Sequence, residues 1–95
     1  MPVKARTANL RARFLTRCEG DLARIERLLD GQPLDTGELR ALVHGLAGAA
    51  GTFGFPDISE AAGDCDDAFA LDRLPDRDRV ETLANAIRRA LSRPA

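Results

Sequence analysis

Apolar side chains return along this chain at intervals of three and four residues. Leu10, Phe14, Cys18, Leu22, Ile25 and Leu29 stand four, four, four, three and four apart, which lines them up on one side of an α-helix, with arginine and acid on the other side. Thr7 ahead of this stripe can cap the first turn, and Gly31 beyond it can take the left-handed conformation on which many helices end. The expected helix runs over about 7–30. Gly20 is its weak interior point, costing up to about 1 kcal/mol relative to alanine.

Three more segments repeat the pattern. Beyond Gln32, Pro33 and Leu34, Asp35 with Glu38 three residues on makes a capping-box-like opening whose acids suit the helix dipole. The helix expected there covers about 36–53 and carries Leu39, Leu42, Val43, Leu46, Ala50 and Phe53 on its core side. Gly54, Phe55 and Pro56 interrupt it, and proline at a first helical position followed by Ile58, Ala61, Ala62, Cys65 and Phe69 predicts a helix over about 56–71. Leu74 and Pro75 break the chain again before Val80, Leu83, Ala84, Ile87 and Leu91, which predict the last helix over about 76–92. No alternating strand pattern is present, and short connections make successive helices antiparallel neighbours. The expectation is an all-α fold, an antiparallel up-down-up-down four-helix bundle filling residues 1–95 as a single domain.

The second predicted helix holds the sole histidine. At about 100° per residue, His44 points about 140° away from the centre of the core stripe. Arg40, Ala41, Gly45, Ala47, Gly48 and Gly51 share its side, so five of six neighbours are alanine or glycine. Each interior glycine costs about 0.8–1 kcal/mol, and an exposed helix face ordinarily takes Glu, Lys, Arg or Gln. Two readings account for the missing side chains. Either a macromolecular partner approaches the imidazole closely, or glycine and alanine mark a tight helix–helix contact in which His44 is an ordinary bundle residue.

Composition narrows the field. With 44% hydrophobic and 31% charged residues, the chain is too apolar and too patterned to stay disordered. A bundle of 95 residues commits most of that apolar material to packing, leaving little for a buried substrate pocket. A formal charge of -1, with 14 basic residues spread among 15 acids, shows no basic stripe of the kind that tracks a phosphate backbone, so nucleic acid is not an expected partner. The most apolar stretch, Ala41 to Ala50, falls short of the roughly 20 residues a membrane span needs. No secretory signal follows Met1, and a cytoplasmic location is expected. Cys18 and Cys65, far apart and both in apolar register, read as buried free thiols. One histidine without a His-x-x-x-His or Glu-x-x-His pair cannot build the usual bundle metal site. The glycines at 45, 48, 51 and 54 match neither GxGxxG nor GxxxxGK[ST] and follow no strand. What remains for His44 is nucleophilic chemistry. An imidazole with its ordinary pKa of about 6.5 is largely neutral at cytoplasmic pH and keeps one ring nitrogen free to attack.

The run His44-Gly45-Leu46-Ala47-Gly48-Ala49-Ala50-Gly51-Thr52-Phe53-Gly54-Phe55 resembles the signature of bacterial histidine phosphotransfer domains, HxLKGxxxxxG, and its Ala-Gly-Thr-Phe-Gly-Phe end is similar to the phosphotransfer domain of chemotaxis kinases. The resemblance implies a phosphorelay carrier. His44 would be phosphorylated on its outer ring nitrogen and would exchange the phosphoryl group with the aspartate of a response-regulator receiver domain. Gly48 and Gly51 would permit docking, together with Ala41, Gly45 and Ala47, and Gly54 would turn the chain into the next helix. An upstream histidine kinase would supply the group, since one small bundle has no fold with which to bind ATP. No cofactor is expected in this chain, and Mg2+ would belong to the receiver.

Two positions depart from the family pattern. Its lysine three residues after the histidine is Ala47 here, and Arg40, one turn earlier, is the candidate replacement for phosphoryl stabilisation. The carboxylate or amide that many members place about 22 residues after the histidine is Asp66, which would accept the inner N–H and free the outer nitrogen. The plainer readings make Arg40 a solvated surface arginine and Asp64, Asp66 and Asp67 a solvated acidic face. A helical module that binds a receiver or kinase without transferring phosphate is the alternative function. A monomer is the expected state, and Met1 together with a last helix ending near the terminus fits a free-standing carrier.

Overall fold

The computed structural model describes residues 3–93, with side chains from Ala8 onward. The described residues form four helices joined by short loops: α1 (Val3–Leu29), α2 (Thr36–Thr52), α3 (Pro56–Ala70) and α4 (Arg77–Ser92). The expected start of α1 needs correcting. The helix passes through Thr7 to Val3, so Thr7 is an interior residue and not a cap. No proline or glycine stands between Val3 and Thr7 to stop it. At the other starts, capping residues decide. Asp35 Oδ2 accepts from the Glu38 backbone N–H at 3.0 Å, Asp76 Oδ1 accepts from that of Arg79 at 2.9 Å, and Pro56 opens α3.

One core joins all four helices, with Ile25, Val43, Leu46, Ile58, Leu83 and Ile87 among its fully buried members. Cutting any of the leucines or isoleucines to alanine removes about 2–5 kcal/mol. Ala86 and Ala90 are buried as well, although the apolar stripe of α4 did not mark them, because small residues beside a stripe are where α4 approaches its neighbours. Leu10 is 44% exposed, against its place on the predicted core stripe of α1. Phe14 already meets Phe53 beyond the last residue of α2, with ring centroids 5.5 Å apart. Leu10, a turn earlier, therefore has no α2 to pack against.

α2 packs most extensively on α3, while α4 joins α1 and α3, and α1 touches α2 only lightly. The residues paired between α2 and α3 run in opposite order, His44 meeting Asp66 and Ala47 meeting Ser59. Gly54 (φ +84°) makes the reversal between them, and the Phe55 N–H closes α2 onto the Ala50 carbonyl at 2.8 Å. Phe55 then turns inward to stack on Phe14 at 5.5 Å, beneath the Arg11 guanidinium. This turn sets the register that brings the middle of α2 beside the second half of α3.

Candidate functional site

His44 stands in the middle of α2 with its side chain 78% exposed. Its Nδ1 lies 2.9 Å from Asp66 Oδ2 on α3, and the Asp66 side chain is 29% exposed. An ionised carboxylate has no proton to give, so the Nδ1–H donates and the neutral ring carries its free lone pair on Nε2. A hydrogen bond this exposed adds only about 0–1 kcal/mol to stability. Its consequence is chemical: it selects one tautomer and one ring orientation.

α2 and α3 can come this close because of small residues at their seam. The Ser59 hydroxyl donates to the Ala47 carbonyl at 2.7 Å, and a Cβ placed on Gly51 would stand 3.3 Å from Ser59 Oγ. Gly51 and half-buried Ala47 thus serve the helix–helix contact. Ser59 had not been singled out in the sequence, although it lies seven residues before Asp66 and so shares its side of α3. Gly45 is half-buried, and a Cβ there would fall 2.5 Å from Nη2 of Arg17, whose guanidinium reaches over it from α1. Arg17 was missed because nothing in the α2 motif refers to α1.

Gly48 differs from both. It is exposed, as Gly51 is, but a Cβ there would meet nothing within 4 Å. Packing inside the chain gives no reason for this glycine. Ala41 is likewise exposed. The two readings of the small residues therefore divide by position, with Gly51 and Ala47 at a seam, and Gly48 and Ala41 on open surface beside His44.

Arg40, Ala41, His44, Asp66 and Asp67 line one open groove between α2 and α3. Among the described residues Arg40 has no ion-pair partner, so the groove holds a free guanidinium one turn from the imidazole. The two thiols take no part. Cys18 and Cys65 are fully buried and unpaired, and burial pushes each thiol up to about 11, which keeps both protonated and inert.

The arrangement is suited to a nucleophilic reaction at Nε2 with a partner that brings its own active site, since the groove is open and shallow on the bundle surface. A family model described as the Hpt domain matches residues 9–93 of the chain. Comparison with curated proteins and with solved structures gives no match.

Proposed function

The chain belongs to the Hpt domain family, whose members carry out histidine phosphotransfer in two-component signalling with receiver domains and kinases, and from this we propose that His44 is the phosphoryl carrier and exchanges its phosphoryl group with a receiver aspartate. The observation that carries this reading is the Nδ1–Asp66 contact at 2.9 Å beneath a ring otherwise open to solvent.

In the transfer, the Nε2 lone pair attacks the phosphorus of an aspartyl phosphate, the P–O bond to the receiver's aspartate breaks, and that carboxylate leaves. The ring, still protonated at Nδ1, becomes a cation as the N–P bond forms. Asp66, already at hydrogen-bond distance, interacts more strongly with the cationic ring than with the neutral one, so it lowers the barrier and not only the ground state. The reverse reaction retraces these steps. Mg2+ would be bound by the receiver's carboxylates, where it offsets phosphoryl charge.

Phosphorylation adds about -1.5 to -2 charge at a face that already holds Asp66 and Asp67. Arg40, in the same groove and unpaired, is the side chain that can answer it in place of the lysine absent at 47. The absent lysine also favours the second reading, a module that binds a receiver without accepting phosphate.

The deciding experiment mixes the protein with a 32P-labelled phosphorylated receiver domain, with His44→Gln as control. Acid-labile, base-stable label on the wild type alone is the expected result. Binding of the receiver without label selects the second reading.

A further inference from the structure

The charges of α1 are segregated around its axis. At about 100° per residue, Arg13, Arg17, Arg24 and Arg27 fall within an arc of about 80°, with Gly20 inside the same arc and no acid in it. Glu19 and Glu26 lie on the far side, where Glu26 Oε2 accepts from Arg88 of α4 at 3.1 Å. Arg17 stands at one edge of the row and reaches over Gly45 of α2. All four are exposed, and among the described residues Arg13, Arg24 and Arg27 make no ion pair. Arg17 is only loosely held, its Nε 3.5 Å from Asp21 Oδ2, an oxygen buried without a hydrogen-bond partner. The net charge of -1 conceals this row completely.

We propose that the Arg13–Arg17–Arg24–Arg27 row is the docking rail for the acidic rim of the receiver that exchanges phosphate with His44, so that the partner sits across α2 toward α1. The inference rests on the phosphotransfer reading above. A partner covering a standard patch of about 800 Å² spans about 28 Å. Neighbouring helix axes are about 8–10 Å apart, so a patch centred on His44 overlaps the helices flanking α2. On the α3 flank it meets Asp66 and Asp67, and on the α1 flank it meets Arg13, Arg17 and Arg24, with Arg27 beyond its edge within reach of a long side chain. The carboxylates that ring a receiver's phosphorylated aspartate come down over His44, where Asp66 and Asp67 on one flank repel them and the α1 arginines on the other attract them. Gly20 on α1 and Gly48 on α2 both have empty space where a Cβ would be, which gives the partner close approach on both helices.

The test uses a receiver domain chosen by label transfer to the wild type. Transfer rate is followed against receiver concentration for Arg24→Glu/Arg27→Glu, for the milder Arg24→Gln/Arg27→Gln, and for Arg89→Glu on α4 as control, each checked for wild-type helicity and Tm. The rail predicts that the double glutamate raises the half-saturating receiver concentration about tenfold, the double glutamine less, and the control not at all. The maximal rate should stay within about twofold, and raising salt should shrink the difference. Unchanged half-saturation in both double variants overturns the rail while leaving the phosphotransfer reading intact. Absence of label on the wild type with every receiver tried refutes the phosphotransfer reading instead, and the rail with it. A random-sequence DNA duplex at 150 mM salt is the remaining arm. Micromolar binding lost in the double glutamate, with receiver transfer unaffected, would assign the row to nucleic acid and overturn the proposal.

Discussion

The α4 side of the bundle and the face spanning α1, α2 and α3 are finished differently. On α4, Arg77 pairs with Glu81 and donates to the Leu29 carbonyl at the end of α1, Arg79 pairs with Asp76, and Arg88 bridges Asn85 and Glu26. On the other face, Arg13, Arg24, Arg27 and Arg40 have no partner among the described residues, and Gly20 and Gly48 hold space that nothing fills. On the first surface three of the four α4 arginines are paired within the chain, Arg89 being the exception. On the second most are not, and the sole histidine is on it. Each glycine left in an exposed helix interior costs up to about 1 kcal/mol, so the contrast is maintained against local stability.

The largest effect expected is at the nucleophile. His44→Gln should abolish labelling by a phosphorylated receiver while leaving Tm within about 1 °C, as expected for a largely exposed residue. Persistent label on this variant would move the chemistry elsewhere and end the comparison.

Gly48 and Gly51 sharpen it further. Gly48→Gln should raise stability by about 0.5–1 kcal/mol through helix propensity and yet slow transfer about tenfold or more by obstructing the partner. Gly51→Leu should instead lower Tm, because its side chain would meet Ser59 at the α2–α3 seam. Thermal melts and transfer rates on the same two proteins decide this, and a Gly48 variant that loses stability would place Gly48 at a seam too.

Asp66→Ala should slow transfer by about 10- to 100-fold, the scale seen when a histidine loses its orienting carboxylate at other sites, with little change in Tm for so exposed a pair. Equal rates would mean that the ring needs no orientation. A smaller effect separates the two kinds of arginine: Arg40→Ala should slow transfer more than Arg79→Ala, and equal rates would return Arg40 to the solvated surface.

The smallest effect is at Asp21, whose carboxyl burial pushes above its usual range despite the opposing Arg17 and Arg24. A raised carboxyl binds more protons folded than unfolded, so its unfavourable contribution grows as pH rises past the unfolded value and is absent in more acid solution. Asp21→Asn should therefore raise Tm slightly at pH 7, with the gain vanishing below about pH 3.8. A gain independent of pH would assign the effect to packing.

Much of this was legible beforehand, and the exceptions share a cause. The loops, the cap at Asp35, the left-handed Gly31 and the core stripes of α2 and α3 follow from neighbours within a few residues. Leu10 was misplaced because a stripe records which side of a helix is apolar and not where the neighbouring helix ends. Asp66 was legible only through the family resemblance, since three aspartates in four positions look alike until α2 selects the one that meets His44. The α1 arginines were read as mixed with acids, because the charge balance of the whole chain hides how charges divide around one helix axis.

Sequence alone determined the helices, their order and a histidine off the core stripe with small residues around it, because helix periodicity and capping are local interactions. Tertiary structure decided which small residues were needed by the bundle and which were not, for that depends on what stands opposite. Ser59 faces Gly51, Arg17 lies over Gly45, and nothing faces Gly48. It also decided that Asp66 holds the inner nitrogen of His44 at 2.9 Å. A contact across 22 residues exists only once two helices have chosen their register.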